Sequence, residues 1–279
     1  MKPPVPYFGA KGRTAPWITS LLPSHRHYVE PYCGGLSVLL AKQPSPMETV
    51  NDLDGDLVTF WRVLRERPED LLRACELTPH ARAELAAAWD PTTDEVERAR
   101  RVWVRLSQGR GGMMRRTGWR HYTTSSGSSI GMPGYLDAYR SRLLPAAARL
   151  ADVSLECLPA LTIIGKYGAA ADVLLYVDPP YLASTRGDAN SRYGVEMKTE
   201  AEHRELAAAL ADCRAAVVLS GYDSPLYDEL YAGWHRAEHR TMTGNARNAA
   251  KGRTEVLWSN RPLADRLTLF TTESTGGGR

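Results

Sequence analysis

The chain has 279 residues, of which 43% are hydrophobic and 24% charged, so it can bury a sizeable core like an ordinary globular protein. No apolar run approaches the roughly 20 residues of a membrane span, and the N-terminus lacks the apolar stretch of a signal peptide, so we expect a cytoplasmic protein without a membrane segment. The four cysteines are far apart and the histidines show no metal-ligand spacing, which argues against a disulfide framework and against a metal site.

The net charge of +3 is distributed unevenly along the chain. Residues 98–149 contain eleven arginines and one acid, Asp137, a local net charge of +10 that leaves −7 for the remainder. The first of these arginines follow Glu95 and Glu97 and suit a solvated helix face. Those from 110 to 120 have no such neighbours. A concentration of arginine of this kind is typical of a surface that contacts phosphates.

The first part of the chain carries two short glycine-containing motifs. Tyr7-Phe8-Gly9-Ala10-Lys11 is compatible with a ligand contact, although an exposed loop is the commoner origin of such a stretch. A short helix is predicted over 15–22, ended by Pro23. Residues 27–40 then have the form strand, glycine turn, helix, in which Gly34-Gly35 lets the backbone approach a ligand. The dinucleotide fingerprint Gly-x-Gly-x-x-Gly is absent.

A second strand, predicted over 48–54, ends in two acids. Asp52 and Asp54 fit two roles, either capping the following helix or binding the two hydroxyls of a ribose. From about residue 61 to residue 150 no strand pattern appears, and helices are predicted over 68–89 and 94–106.

A loop rich in glycine, arginine and serine is predicted from 109 to 134. Its arginines could hold phosphates or contact guanine edges, and Trp119 or Tyr122 could stack on bases or wedge between them. Glycine-rich composition alone indicates a linker more often. The charge favours nucleic-acid binding.

Further strands and one capped helix complete the pattern. The strands are predicted over 153–158, 172–178 and 215–220, followed by a terminal hairpin of 234–241 and 254–260 joined by residues 243–253. Residues 183–198 are predicted to form a loop over the site. Thr199-Glu200-Ala201-Glu202 is a capping box that opens a helix to about residue 212.

The apolar strand that begins at Val173 stops at Asp178-Pro179-Pro180-Tyr181. The two prolines lack amide hydrogens and have a fixed φ, so the loop is stiff and its acceptors have no ready local donor. Ligands in open α/β sheets bind outside the carboxyl ends of the strands. A simple turn is the alternative, and the surrounding motifs favour a ligand site.

With these motifs in this order, the sequence resembles the Dam-like DNA adenine N6-methyltransferases of bacteria and their phages. The matching stretches are Tyr7 to Lys11, Glu30-Pro31-Tyr32-Cys33-Gly34-Gly35, Asn51-Asp52-Leu53-Asp54 and Asp178 to Tyr181, and residues 254–260 resemble the family's closing strand. Leu36 is a departure, because many relatives have a glycine there.

The resemblance implies an α/β fold: a doubly wound, Rossmann-like methyltransferase sheet with an antiparallel terminal hairpin and a mostly helical inserted domain. Residues 1–60 and 150–270 would form the S-adenosylmethionine-binding catalytic domain. Residues 61–149 would form the inserted target-recognition domain, and residues 271–279 a disordered tail.

The resemblance also implies the site residues and the cofactor. S-adenosylmethionine would be the methyl donor, S-adenosylhomocysteine the product, and no metal would take part. The implied cofactor-binding residues are Tyr7, Gly9, Lys11, Glu30, Pro31, Tyr32, Gly34, Gly35, Asp52, Asp54 and Asp178, with Asp54 holding the ribose. The implied catalytic residues are Asp178, Pro179, Pro180 and Tyr181. The candidate DNA-binding residues are Arg110, Arg115, Arg116, Trp119, Arg120 and Tyr122.

The expected reaction is site-specific methyl transfer to N6 of an adenine flipped out of double-stranded DNA. The Asp178 carboxylate and the Pro179 carbonyl would accept the two amine hydrogens, and Tyr181 would stack on the base. The alternatives are an N4-cytosine methyltransferase, a non-enzymatic DNA-binding module that keeps the cofactor fold, and a dehydrogenase, which the missing fingerprint disfavours. The recognised DNA site and any cognate restriction endonuclease cannot be deduced from the sequence. A monomer or weak dimer is expected.

Overall fold

The computed structural model describes residues 1–122, 131–181, 197, 199–241 and 253–264. The strands of its sheet are β1 (His27–Glu30), β2 (Met47–Asn51), β3 (Val153–Glu156), β4 (Val173–Val177), β5 (Ala216–Tyr222), β6 (His235–Thr241) and β7 (Arg253–Ser259). They form one seven-stranded sheet in the order β3-β2-β1-β4-β5-β7-β6.

Strands β1 to β5 are parallel to one another, and β7 runs antiparallel between β5 and β6. This confirms the doubly wound sheet with an antiparallel terminal hairpin. The strand order reverses at the pair of β1 and β4, where His27 lies beside Val173. The connections that leave these two strands diverge, and the resulting crevice is where such folds bind ligands.

Helices connect the strands. They are α1 (Ala15–Leu21), α2 (Ser37–Ala41), α3 (Gly55–Glu66), α4 (Pro68–Glu76), α5 (Arg82–Ala87), α6 (Glu95–Gln108), α7 (Gly131–Arg140), α8 (Leu143–Leu150), α9 (Ala160–Gly168), α10 (Glu200–Ala211) and α11 (Pro225–Leu230). The capping box predicted at Thr199 is present: its hydroxyl accepts from the Glu202 amide, and the Glu202 carboxylate accepts from the Thr199 amide. Among the described residues, no helix is long and apolar enough to cross a membrane.

Two predicted boundaries in the helical segment were wrong. The helix expected over 68–89 is two helices, α4 and α5, separated at Thr78-Pro79-His80, because Pro79 has no amide hydrogen and biases the residue before it away from the helical region. The loop expected up to residue 134 ends earlier, because α7 begins at Gly131. Pro133 lies in the first turn of α7, where the missing amide hydrogen costs no helical bond.

The sheet is covered on both faces, so the side chains of its central strands alternate between two apolar clusters. Tyr28, Leu174 and Tyr176 belong to the cluster that includes α2 and α3. Val29 and Leu175 belong to the cluster that includes α9 and α10. Burial on both faces explains why β4 is apolar throughout.

Helices α3 to α8 lie between β2 and β3 in the chain and share the first apolar cluster with the sheet. Trp61 of α3 and Trp103 of α6 are fully buried there. The predicted domain boundary at residues 60 and 61 falls inside α3. The division into two domains stays a prediction. The loops expected over 183–198 and 243–253 and the tail from 271 lie outside the described residues, except for Met197 and the backbone of Arg253.

Candidate active site

A cavity of about 330 Å³ opens at the carboxyl ends of β1, β2 and β4, at the point where the strand order reverses. Most of the predicted cofactor-binding residues line it: Tyr7, Gly9, Lys11, Glu30, Pro31, Tyr32, Gly34, Gly35, Asp52 and Asp178. Asp54 is not among its lining residues. The motifs that are distant in the sequence therefore meet at one site.

The loop after β1 passes directly beneath the ring of Tyr7. A Cβ at Gly34 would lie 2.8 Å from Tyr7 Cε1, and one at Gly35 would lie 2.7 Å from Tyr7 Cβ. Gly34 also has a φ of +44°. Leu36 follows with a φ of 55°, in the left-handed region that glycine adopts readily, and its side chain is fully buried. The departure at Leu36 therefore keeps the backbone conformation that a glycine would favour.

The two acids after β2 have different surroundings. Asp52 lines the cavity, and its Oδ2 accepts from the Gly34 amide at 2.9 Å while its Oδ1 accepts from the Asp54 amide at 3.0 Å. Burial raises the pKa of Asp52 to about 6, against the opposing effect of these two amides. Asp54 instead caps α3, accepting from the amides of Asp56 and Leu57. Asp52 is therefore the acid that faces the cavity, and Asp54 is engaged as the cap of α3.

Asn51 joins the loops that follow β1, β2 and β3. Its side-chain amide donates to the carbonyls of Pro31 and Leu158, each at 2.9 Å, and its Oδ1 accepts from the Leu158 amide at 2.9 Å. Because Asn51 is buried, these bonds hold the cavity rim in one arrangement.

Glu30 lies at the end of β1 and faces the cavity. Its Oε1 accepts from the Tyr28 hydroxyl at 2.7 Å and from the Leu39 amide at 2.9 Å. Burial raises the pKa of Glu30 to about 8, because the two hydrogen bonds offset only part of the cost of removing the charge from water.

Asp178 lies just beyond the end of β4, with its side chain 19% exposed. Its Oδ1 accepts from Lys11 Nζ at 2.7 Å and from Ser220 Oγ at 2.9 Å, so two side-chain donors satisfy an oxygen for which no local partner was expected. Within the described part of the chain, Asp178 Oδ2 and the Pro179 carbonyl accept no hydrogen bond. Asp178 lines the cavity, so its Oδ2 is available to a ligand, and the Pro179 carbonyl beside it in the loop is unengaged.

Tyr181 and Pro179 are buried and do not line the cavity, whereas Pro180 does. Lys11 Nζ lies 4.6 Å from the centroid of the Tyr181 ring, and Tyr222 packs edge-on at 4.7 Å. Since Tyr181 is only 7% exposed, the predicted stacking on a target base would require the ring to be uncovered first. Its hydroxyl donates to Glu255, a residue that the sequence did not single out.

The cavity wall carries more acids than bases. Among the described residues, Glu30, Asp52, Asp178, Glu202 and Glu205 line it, and Lys11 is the one lysine that does so. Ser37 lines it too, and its buried Oγ has no hydrogen-bond partner within the described residues. This donor set fits a polar, cationic ligand such as S-adenosylmethionine. No group of three potential metal-ligating side chains occurs among the residues that the structure describes.

Several lining residues were not predicted: Ser37, Leu53, Pro159, Ala160, Leu161, Met197 and Glu205. Pro159 to Leu161 follow β3 directly, so the rule that ligands bind beyond strand ends could have identified them. Met197 and Glu205 come to the cavity from near or on α10, and no local sequence signal indicates this.

The predicted DNA-binding residues lie on a loop that is held at its base. The amide of Arg110 donates to the Gly118 carbonyl at 2.9 Å, and the amide of Arg120 donates to the Gln108 carbonyl at 2.7 Å. Arg110 and Arg116 are exposed, whereas Arg115 and Arg120 are half-buried. Arg110 and Arg116 are therefore the most accessible arginines of the predicted set.

Of the two aromatic residues proposed to contact bases, only Tyr122 is exposed, at 47%. The Trp119 ring is stacked with the rings of His80 and His121, at centroid distances of 4.3 and 5.3 Å. The guanidinium of Arg82 also lies over the indole, 4.7 Å from its centroid. Trp119 is thus already packed within the protein and is poorly placed to wedge between bases.

Much of the positive charge counted in 98–149 is neutralised by acids that the fold brings close. Arg98 and Arg105 both contact Asp56, and Arg149 contacts Glu48. Arg100 and Arg101 also pair with an acid, Glu97, and Arg140 pairs with Asp137. Within the described residues, the arginines of this segment without an acidic partner are Arg110, Arg115, Arg116, Arg120 and Arg142.

The arginine-bearing loop also contacts the N-terminal loop beside the cavity. The Phe8 amide donates to the Gly112 carbonyl at 2.7 Å. Gly112 has a φ of +62°, and a Cβ there would lie 2.9 Å from the Pro6 carbonyl group. The candidate DNA surface is therefore continuous with the wall of the cavity.

Known proteins resemble this chain in sequence and, more loosely, in structure. The type II methyltransferase M1.LlaDCHI of Lactococcus lactis subsp. cremoris is 25% identical over 278 aligned residues, which cover 93% of this chain and 95% of the relative. A precorrin 8w decarboxylase of Methanobacterium thermoautotrophicum superposes with a TM-score of 0.37 at 10% identity, covering 93% of this chain and 95% of that one. A SAM-dependent methyltransferase from Agrobacterium tumefaciens also gives 0.37, at 9% identity, over 90% of this chain and 60% of that one. Superpositions this loose carry no weight in the assignment.

The decisive comparison is with a family model. The model described as D12 class N6 adenine-specific DNA methyltransferase matches residues 7–244, which include the glycine loop, the acids after β2 and the Asp-Pro-Pro-Tyr segment. The match spans most of the chain, and the described residues that line the cavity all lie within it. The chain therefore belongs to the D12 class N6 adenine-specific DNA methyltransferase family, whose members use S-adenosylmethionine.

Proposed function

We propose that this chain methylates N6 of an adenine that has left the DNA duplex and entered the space beside Asp178. The observation that carries the proposal is the unengaged Asp178 Oδ2 on the wall of an acid-lined cavity, with the unengaged Pro179 carbonyl next to it in the same loop. S-adenosylmethionine, when bound, supplies a methyl group on a positively charged sulfur, which is reactive enough for transfer without a metal.

The adenine amine is a poor nucleophile because its nitrogen lone pair is delocalised into the ring. Acceptors on both amine hydrogens draw the lone pair back to the nitrogen. Asp178 Oδ2 and the Pro179 carbonyl supply two acceptors in a stiff loop, and Lys11 and Ser220 keep Asp178 oriented through Oδ1. Positioning and fixed charge then account for most of the rate effect, without a covalent intermediate on the protein.

On the cofactor side, we assign the ribose to Asp52 and the close backbone approach to Gly34 and Gly35. Asp52 uses its oxygens for the amides of Gly34 and Asp54, and a carboxylate has about four acceptor positions, so about two remain for hydroxyl donors. The Asp52 carboxylate, which is mostly ionised at neutral pH, lowers the free energy of a cationic ligand relative to a neutral one.

On the DNA side, we assign phosphate contacts to Arg110 and Arg116, because they are exposed and have no acidic partner among the described residues. Residues 61–149 would act as the recognition segment. Because the substrate is genomic DNA, we expect the enzyme to act in the cytoplasm. The type II relative suggests that a cognate restriction endonuclease accompanies it.

The proposal is tested with Asp178→Asn, which preserves the size of the side chain but removes its charge. Purified wild-type protein should transfer labelled methyl groups to DNA, and hydrolysis of the product should yield N6-methyladenine rather than N4-methylcytosine. The variant should lose about 100-fold or more in kcat while keeping its cofactor affinity within about threefold. Asp212→Asn, on an exposed residue at the end of α10, is the matched control. Equal activity of the Asp178 variant and the wild type would refute the assigned mechanism.

A further inference from the structure

Glu255 is a buried acid on β7 that reaches the catalytic loop from the antiparallel side of the sheet. It lies beside Tyr222 of β5 and opposite His239 of β6. Its side chain is only 9% exposed, at a position where an apolar residue would also be buried. A charged group at such a position is costly unless it has partners, so its contacts are informative.

Those contacts are two side chains of the catalytic site. Glu255 Oε1 accepts from the Tyr181 hydroxyl at 2.5 Å and lies 3.5 Å from Lys11 Nζ. Burial raises the pKa of the Tyr181 hydroxyl well above its usual range, which keeps the hydroxyl protonated as a donor.

The same two side chains determine where Asp178 lies. Lys11 donates to Asp178 Oδ1 at 2.7 Å, and Tyr181 follows Asp178 by three residues in the Asp-Pro-Pro-Tyr segment. Lys11 Nζ also lies 4.6 Å from the centre of the Tyr181 ring. The three groups therefore form one cluster in which Glu255 contacts both elements that hold Asp178.

The charges in this cluster are unequal, since one ammonium faces two carboxylates. Burial raises the pKa of Glu255, Lys11 lowers it, and Asp178 raises it again. Other groups around Glu255 are Tyr222 on β5, which packs on Tyr181, and His239 on β6. Loss of the Glu255 carboxylate would remove one of the carboxylates that face Lys11 and the group that accepts from the Tyr181 hydroxyl.

We propose that Glu255 is a positioning residue for methyl transfer. By accepting from the Tyr181 hydroxyl and sharing the Lys11 ammonium with Asp178, it fixes the loop so that Asp178 Oδ2 and the Pro179 carbonyl face the amine. The inference rests on the proposed function of Asp178 and extends it to a strand that is distant in sequence. Glu255 itself does not touch the reacting atoms.

The test compares Glu255→Gln, Tyr181→Phe and the double variant. Glu255→Gln keeps an oxygen that can accept from Tyr181 but removes the charge that Lys11 faces, whereas Tyr181→Phe removes the hydroxyl and keeps the ring. We expect each single variant to lower kcat about 10-fold or more, because small displacements of a reacting group have effects of that order. The Kd for S-adenosylmethionine and the KM for DNA should stay within about threefold. The double variant should lose less activity than the product of the two single losses, because both changes act on the one cluster formed by Lys11, Tyr181 and Glu255.

Glu238→Gln on the neighbouring strand β6 is the matched control, because Glu238 is exposed and pairs only with Arg236 among the described residues. It should leave kcat and Kd unchanged. A second readout is the fluorescence of DNA that carries 2-aminopurine at the target position. We expect it to show that the base flips out in every variant.

The outcomes separate the two proposals. If the wild type forms N6-methyladenine and Glu255→Gln retains full kcat per folded molecule, the positioning role of Glu255 is refuted and the assignment of Asp178 stands. A lower Tm with unchanged kcat would likewise refute it, leaving a structural role. If Glu255→Gln does not fold, Tyr181→Phe decides, because it removes the hydrogen bond that Glu255 accepts from the Tyr181 hydroxyl; a wild-type kcat in Tyr181→Phe would then overturn the proposal. If the wild type forms no N6-methyladenine, the proposed function itself is wrong.

Discussion

Replacement of Asp52 by Asn tests whether the acid that faces the cavity, and not the one that caps α3, binds the cofactor ribose. The matched variant is Asp54→Asn. Both changes remove one charge and keep the side-chain shape, and the two residues are separated by one position. The sequence alone makes Asp54 an equal or better candidate, so the structure and the sequence predict different outcomes.

The expected magnitude follows from the hydrogen bonds. The Asp52 oxygens accept from the amides of Gly34 and Asp54, and about two further acceptor positions remain for the ribose hydroxyls. A hydrogen bond to a charged group contributes about 1.5–3 kcal/mol, and Asn can retain a part of the interaction. Asp52→Asn should therefore weaken cofactor binding by about 2–4 kcal/mol, which is roughly 30-fold to 1,000-fold in Kd.

In Asp52→Asn, an NH₂ group replaces one of the two oxygens that accept from the amides of Gly34 and Asp54, and one of these amides loses its acceptor. The free energy of unfolding should therefore fall by about 1–3 kcal/mol. Asp54→Asn should have a much smaller effect, because Asn caps helices about as well as Asp. Its cofactor affinity should stay within about threefold of the wild-type value.

Isothermal titration calorimetry with S-adenosylmethionine at pH 7.5, on protein whose folded fraction is known from circular dichroism, gives Kd directly. At that pH most of the Asp52 carboxyl groups are ionised, given the pKa of about 6. A loss of affinity in Asp54→Asn equal to that in Asp52→Asn, or an unchanged Kd in Asp52→Asn, would refute the assignment.

Two further predictions concern pH and salt. Because the pKa of Asp52 is raised to about 6 and a cationic ligand favours the ionised form, cofactor binding should release a proton at low pH. Kd for the cofactor should then rise by up to about tenfold per pH unit as the pH falls below about 6. The dependence of Kd on pH should be weaker in Asp52→Asn. A Kd of the wild type that does not change with pH would contradict this prediction. Replacing Arg110 and Arg116 together by Ala should weaken DNA binding and lower the slope of log K against log salt by about 2, whereas Arg204→Ala on α10 should leave the slope unchanged. An unchanged slope in the double variant would place the phosphate contacts elsewhere.

The sheet and the cavity were predictable because each depends on local sequence. Strands buried on both faces are apolar throughout, as in Val173–Val177, and parallel strands bring their carboxyl ends to one edge. The residues just after each strand therefore had to meet. This is why the sequence predicts that the stretches beginning at Glu30, Asn51 and Asp178 lie together.

The choice between Asp52 and Asp54 could not be made from sequence. Both acids follow β2, and the outcome depends on which one starts α3. In the structure α3 begins at Gly55, so Asp54 has the capping position and Asp52 points into the cavity. A shift of two residues in the start of a helix is beyond what a sequence pattern resolves.

Contacts between distant segments were the other gap. Trp119 looked available for DNA, but His80 comes from the connection between α4 and α5 and stacks on it. Glu255 appeared only as part of a closing strand, and its contact with Tyr181 depends on the antiparallel register of β5 and β7. Neither register nor side-chain stacking between distant segments has a local signature.

The contact of Gly112 with the N-terminal loop bears on attempts to exchange DNA specificity between relatives. Gly112 lies against the backbone of Pro6 and Tyr7, and the Tyr7 ring lies on Gly34 and Gly35. A transplanted recognition segment with a larger residue at position 112 would push Tyr7 into the loop after β1. Chimeras should therefore keep cofactor affinity when residues 6–12 are exchanged together with the segment, and lose it when the segment is exchanged alone.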